Sequence, residues 1–180
     1  MITLNGPEQV VLVDVEDHEL GAMEKLSAHR EGLLHRAFSV FIFNTKGDLL
    51  LQQRALDKYH SAGRWSNTCC GHPRPGETVK AAAERRLDEE MGLGSELQPT
   101  FHFVYSTELG DGMKEHELDH VLIGISDSDP TPDPQEAVDW RWVSRNELQR
   151  EMKSHPGLFT AWFPLCLEGA WNAAEEMLRR

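Results

Sequence analysis

The stretch Ser66 to Glu77 reads SNTCCGHPRPGE, setting two adjacent cysteines, a histidine, two prolines and two glycines together just before a helical pattern over Thr78 to Met91. A loop that only connects elements rarely needs so many reactive and backbone-special residues, so the chemistry of the chain is expected here. Beyond it, Val79, Ala83, Leu87 and Met91 recur every four residues, with Ala82 beside them, and Gly92 follows as a C-terminal stop. On this amphipathic helix Arg85 and Glu89 stand four apart, as do Arg86 and Glu90. The spacing reads either as surface ion pairs worth roughly a few tenths of a kcal/mol each, or as a helix edge that presents a carboxylate and a guanidinium to a ligand.

Composition bounds the possibilities. With 180 residues, 39% of them hydrophobic, the chain can bury one core, and a single domain over residues 1–180 is expected. The formal charge of −12 argues against a nucleic-acid surface, because phosphate backbones would be repelled overall; an anionic small molecule remains admissible at a local basic cluster. The longest apolar runs, Phe38 to Phe43 and Val121 to Ile125, fall far short of the ~20 residues of a spanning helix, so no membrane partner is expected and a soluble, cytoplasmic protein is. Cys69, Cys70 and Cys166 are odd in number and two of them are neighbours, which fits free thiols in a reducing compartment better than a disulfide framework.

In chain order, Gln9 to Val15 reads as a strand, followed by the polar segment Glu16 to Gly21; Lys25 and His29 come next, and His35 stands just before the strand Phe38 to Phe43. Phe38 to Phe43 and Leu49 to Gln53 flank a five-residue loop containing Gly47, the pattern of a β-hairpin. It delivers Arg54 and Lys58 towards the central stretch, where Trp65 suits a pocket wall or a core edge. Phe101 to Thr107 is a strand carrying Tyr105, and the segment Met113 to Ile125 contains Glu115 and Glu117. Extended, it puts both carboxylates on one face and His116 on the other. Two like charges on one face need a proton or a cation between them, unless the strand is merely a charged outer face. Val138 to Val143 alternates as a strand, Ser144 to Met152 is a short helix with Ser144 and Glu147 in capping-box spacing, and Leu167 to Arg180 is a helical tail.

Gly71, Glu77, Arg85 and the run from Arg86 to Leu93 resemble the Nudix box, G-x5-E-x7-R-E-U-x-E-E-x-G-U with U apolar, over residues 71–93. One position departs: Arg86 stands where Nudix hydrolases place a metal-binding glutamate. Together with SNTCCGHP before the box and Glu115-His116-Glu117 after it, the pattern closely resembles the type I isopentenyl-diphosphate Δ-isomerase family, from about Lys25 to Trp142. The resemblance implies an α+β Nudix-like domain, a mixed β-sheet sandwiched by helices, that interconverts isopentenyl and dimethylallyl diphosphate. It implies one divalent metal, Mn²⁺, Zn²⁺ or Mg²⁺, on His29, His35, His72, Glu115 and Glu117. A Mg²⁺ accompanying the substrate diphosphate is implied at Glu90 and the backbone carbonyl of Cys70, and the diphosphate itself on Lys25, Arg54, Lys58 and Arg86.

The family's catalytic thiol and carboxylate match Cys70 and Glu117, with Tyr105 placed to hydrogen-bond the carboxylate and relay a proton; Cys69 is expected to point away. The resemblance also implies an aromatic wall for a carbocation, from a Trp after a proline near the C-terminal end. Here Leu165 follows Pro164, leaving Trp162, two residues before the proline, or Trp65 to supply it. The isoprenoid diphosphate is a small-molecule partner, and a monomer or weak homodimer is expected. A Nudix diphosphohydrolase is the first competing reading, although it calls for Glu at position 86 and has no use for Cys70. The second is a metal- or diphosphate-binding module without catalysis.

Overall fold

The computed structural model describes residues 7–179; the ends of the expected single-domain span, residues 1–6 and 180, lie outside them. Nine strands form one mixed sheet: β1 (Gln9–Val13), β2 (Glu19–Glu24), β3 (His35–Phe43), β4 (Leu49–Arg54), β5 (Trp65–Ser66), β6 (Cys69–Gly71), β7 (Gln98–Gly110), β8 (Met113–Ile125) and β9 (Ala137–Val143). Four α-helices accompany them, α1 (Lys25–Glu31), α2 (Val79–Met91), α3 (Arg145–Ser154) and α4 (Phe163–Leu178), with a 3₁₀ turn at Pro156–Leu158.

β3 is the spine. It runs parallel to β8 along its whole length, from His35 opposite Glu117 to Phe43 opposite Ile125. Its near-continuous apolar sequence follows from burial on both faces. Phe38, Val40 and Ile42 pack with Ala82, Ala83, Leu87 and Met91 of α2, while Phe41 and Phe43 pack with Phe163, Ala170 and Trp171 of α4. The sheet is therefore sandwiched by helices, as the sequence led us to expect. α2 is capped by the Thr78 side chain, and Gly92 ends it in the left-handed conformation at φ 61°. A Cβ on Gly92 would also lie 2.2 Å from Thr131 Oγ1, so only glycine fits.

The hairpin reading is corrected. β3 and β4 pair only at Phe43 and Leu49, beside the turn, because the central stretch is threaded between them. β5 pairs with β4 and β6 pairs with β3. The polar residues of SNT replace the missing ladder. Thr68 Oγ1 donates to Leu50 O at 2.6 Å and accepts from Ile42 N at 2.9 Å, while Asn67 Nδ2 donates to Val40 O at 3.1 Å. Buried backbone groups left unpaired by the splayed strands are thus satisfied by side chains.

Two further elements differ from the sequence reading. The polar segment after β1 folds into β2, an exposed edge strand paired antiparallel with β1. None of its residues is buried, so the apolar alternation by which a strand is recognised is weak. The C-terminal helix begins at Phe163, not Leu167, with Pro164 in its first turn, where a missing N–H costs nothing. No helix among the described residues is long and apolar enough to cross a membrane.

Candidate active site

Threading the central stretch between β3 and β4 opens a cavity of about 380 Å³ beside it. Cys70, Gly71 and His72 form one wall, β8 contributes Glu115 and Glu117, and Arg86 and Glu90 reach in from α2. Successive residues of β6 face opposite ways: Cys69 is sealed in the core beneath α2, whereas Cys70 lines the cavity. A Cβ on Gly71 would lie 2.9 Å from the Phe38 ring and 3.5 Å from Arg86 Cγ, so the absent side chain lets α2 and the strand close together.

At one end, His29, His35, His72 and Glu117 bring a ligand atom each to within 4.8 Å of one another. α1, capped by Glu24, supplies His29, and the first residue of β3 is His35. His29 Nδ1 lies 2.7 Å from Lys25 O and His35 Nδ1 2.8 Å from Leu33 O. A carbonyl can only accept, so both Nδ1 atoms carry a proton, which leaves Nε2 as the nitrogen of each ring that can ligate a metal. Those two Nε2 atoms are buried without hydrogen-bond partners. Burial pushes the His29 imidazolium down, and His72 down to about 4 despite its bond to Glu117. Imidazoles whose ring nitrogens lack hydrogen-bond partners, gathered around a carboxylate, fit a divalent cation.

Glu115 and Glu117 share a face of β8, as i and i+2 require, and both are buried; a charged outer face is therefore excluded. Glu117 Oε1 lies 2.9 Å from His72 Nε2 and 3.5 Å from His35 Nε2, while the Tyr105 hydroxyl donates to Glu117 Oε2 at 2.7 Å and lies 3.2 Å from Glu115 Oε2. Burial opposes the charge on Glu117, yet the adjacent His35 and His72 imidazoles hold its carboxyl well below the usual range. For Glu115, burial and then the Glu117 charge push the carboxyl up to about 9. Glu115 stands outside the tight four-residue cluster and faces His60 Nε2 at 3.6 Å. Burial, followed by Glu117 and Glu115, raises the Tyr105 phenol well above its ordinary value.

The Cys70 thiol lies 3.1 Å from Asn67 Oδ1 and 3.8 Å from Ser39 Oγ. Burial, then the Asp119 carboxylate, pushes it up to about 12, so it rests as a thiol.

The cations expected to bind the diphosphate are, apart from Arg54, paired with carboxylates. Lys25 Nζ pairs with Glu8 at 3.0 Å, Lys58 pairs with Glu136, and Arg86 binds Glu90, Glu89 at 3.0 Å and Glu136 at 3.4 Å. Arg54 reaches the cavity with its guanidinium 5.6 Å from the Trp162 ring and its Nε buried without a partner. Burial works against the charges of both Arg86 and Glu90. The carboxylate outweighs it for Arg86, which is raised, while Glu90 is still raised in spite of Arg86. Arg85 lies further out, held by Glu77 at 2.8 and 2.9 Å.

Trp162 lines the cavity, and Leu165 is 60% exposed on the far side of the helix start. Trp65 is not part of the wall: pairing of β5 with β4 turns its ring towards Arg141 of β9, whose guanidinium lies 4.6 Å away. Of the two aromatic candidates the cavity has Trp162. Sequence reasoning passed over Asn67, Glu136 and the buried Asp119. Only Asp119 carried a usable signal, since it continues the i, i+2 phase of Glu115 and Glu117.

Residues 33–163 match the NUDIX domain model. The chain is 49% identical over 161 residues to isopentenyl-diphosphate Delta-isomerase 2 of Aromatoleum aromaticum, covering 89% of this chain and 85% of that one. It is 50% identical to the isopentenyl-diphosphate Delta-isomerase of Serratia proteamaculans (87% of each chain) and 52% identical to that of Pectobacterium atrosepticum (87% and 88%). Among solved structures, a Deinococcus radiodurans protein superposes with a TM-score of 0.76 at 18% identity, covering 91% of this chain and 99% of that one. A MutT protein from Methanosarcina mazei gives 0.61 at 22%, over 79% and 95%. These two show the fold alone. On the sequence relationship, the chain belongs to the isopentenyl-diphosphate Delta-isomerase family of NUDIX-domain proteins.

Proposed function

We infer that this protein is an enzyme, an intramolecular isomerase that interconverts isopentenyl diphosphate and dimethylallyl diphosphate in isoprenoid biosynthesis. The observation that carries the mechanism is one cavity holding a thiol, a carboxylate hydrogen-bonded to a phenol, an indole and a set of cations. The reaction protonates an unactivated alkene, passes through a tertiary carbocation and removes a proton two carbons away. That sequence needs an acid, a base and the exclusion of water.

In our reading Cys70 and Glu117 are the acid and base, Tyr105 moves the proton on and off Glu117, and Trp162 faces the cation with its π surface. Because the interconversion is reversible, each residue donates in one direction and accepts in the other. Lys25, Lys58 and Arg86 bind the diphosphate by exchanging their carboxylate partners for its oxygens, and Arg54 binds it directly, through a guanidinium whose Nε has no partner. A divalent ion on His29, His35, His72, Glu117 and Glu115 would supply the positive charge that keeps the carboxylate anionic and oriented, and Mg²⁺ would enter with the diphosphate at Glu90 and the Cys70 carbonyl.

Arg86 also speaks against diphosphate hydrolysis. A hydrolase gathers metal around the phosphates, whereas an arginine at this position grips them without adding a metal site. We place the enzyme in the cytoplasm, acting as a monomer or weak homodimer. The test is incubation of either diphosphate in D₂O with divalent metal. The isomerase takes up deuterium into carbon without releasing phosphate; phosphate release without deuterium uptake identifies a hydrolase, and neither outcome leaves a binding module.

A further inference from the structure

Asn67 is fully buried, three residues before the reactive thiol, and nothing in the mechanism above uses it. Its amide is saturated on both sides. Nδ2 donates to Val40 O at 3.1 Å and to Cys69 O at 2.9 Å. Oδ1 accepts from Ser66 Oγ at 2.9 Å, from the Cys70 thiol at 3.1 Å and from Trp162 Nε1 at 3.2 Å. The orientation of the amide follows from its partners: an indole N–H only donates and a backbone carbonyl only accepts. No other residue type of this shape offers both functions, since an aspartate would set an oxygen against two carbonyls and a leucine would remove a partner from all five groups.

We propose that Asn67 is a positioning residue that ties the Cys70 thiol and the Trp162 indole to a single oxygen, so that the proton-transfer group and the aromatic wall hold a fixed mutual geometry. The inference rests on the isomerase reading for the roles of Cys70 and Trp162. It goes further in locating what sets their spacing. The two groups come from distant parts of the chain, β6 and the residue before α4, and Asn67 joins them across the splayed strands. Ser66 extends the link, its hydroxyl lying 3.0 Å from Thr160 Oγ1 on the same segment as Trp162. The Asn67 carbonyl gives the Cys70 thiol a fixed resting partner, and the same oxygen anchors the Trp162 indole through its N–H. Of the cations assigned to the diphosphate only Arg54 meets this group, its guanidinium 5.6 Å from the Trp162 ring, while Lys25, Lys58 and Arg86 are held by carboxylates, so kcat should respond more than substrate affinity.

The test combines kinetics with the indole resonances of the ¹⁵N-labelled enzyme loaded with a diamagnetic divalent ion. In Asn67→Ala, kcat should fall about 100-fold, the scale of a small misplacement of reacting groups, with KM within about twofold. The Trp162 indole proton should lose its hydrogen-bonded shift and exchange faster with water, while the other four tryptophans serve as internal references. Should Asn67→Ala not fold, Cys70→Ala decides: removing one of three donors to the shared oxygen should move the Trp162 indole resonance in otherwise native protein. Unchanged kcat in folded Asn67→Ala, a rise in KM matching the loss of kcat, or a Trp162 resonance indifferent to the Cys70 substitution overturns the proposal. The resonance is read without turnover, so a failure of the isomerase reading would appear in the D₂O experiment and leave this coupling standing.

Discussion

The two ends of the cavity are built on opposite plans. At the histidine end each imidazole is oriented by a backbone carbonyl or by Glu117, and ring nitrogens are left buried without hydrogen-bond partners. At the cationic end Lys25, Lys58 and Arg86 already hold carboxylate partners. The first end is preorganised and incomplete, so it requires a cation. The second is balanced on its own, and a diphosphate enters it by exchange, replacing one set of oxygens with another. Substitutions at the first end should therefore act all-or-none, and those at the second in graded steps.

The harshest way to test the contrast is to remove the metal. Exhaustive chelation, or His35→Ala, should lower turnover by roughly three orders of magnitude or more, the scale of a lost catalytic electrostatic group, and metal analysis of His35→Ala should show the protein-bound equivalent gone. Arg86→Glu restores the Nudix pattern but reverses a charge at the balanced end. Loss of a charged hydrogen bond of about 1.5–3 kcal/mol should weaken inhibition by inorganic diphosphate roughly 10- to 100-fold, and no phosphate release should appear. Unchanged affinity would return Arg86 to the category of a surface pair.

How far each end was legible follows from the same contrast. At the metal end the Glu115 and Glu117 pair was readable from its two-residue phase on β8, whereas His29, His35 and His72, which lie on a helix, at a strand start and after a strand, were assigned only through the family resemblance. The helix α2 was equally plain from its four-residue period and its glycine stop. The threading of residues 65–71 between β3 and β4 was not, because an apparent hairpin differs from a splayed pair only in long-range pairing. For the same reason Trp65 read as a possible wall, and Glu8 and Glu136, distant in sequence, did not read as counter-ions at all. Trp162 was a candidate without a location until α4 was seen to begin at Phe163.

Two smaller effects sharpen the picture. Trp162→Leu should lower kcat about 30-fold, the equivalent of ~2 kcal/mol for a desolvated cation over a π face, with a smaller loss of diphosphate affinity through Arg54, which rests on the ring. A matching loss in Trp65→Leu would contradict its placement against Arg141.

Glu115→Gln should act with opposite signs in the two metal states. Without metal, the Glu115 carboxyl is raised to about 9, above its unfolded value of 4.5, so its contribution to stability is lost as pH climbs between those values. The Gln variant of the metal-free protein should then melt higher than its parent, by about 2–4 °C per kcal/mol relieved, and the gap should widen from pH 5 to pH 9. With metal bound the variant should melt lower, because a ligand is gone. A gap independent of pH in the metal-free pair would show that Glu115 ionises freely.

The central claim is that Cys70 and Glu117 each handle a proton that the other does not. It is tested most directly by following deuterium at the two exchanging carbons in D₂O for the parent enzyme, Cys70→Ala, Glu117→Gln and Cys69→Ala, each with metal content verified. The account predicts uptake at rates near the parent's only in Cys69→Ala, and rates lower by several orders of magnitude, on the scale of lost acid–base groups acting together, in the other two. A Cys70→Ala enzyme that retains metal and incorporates deuterium at the parent rate would contradict it.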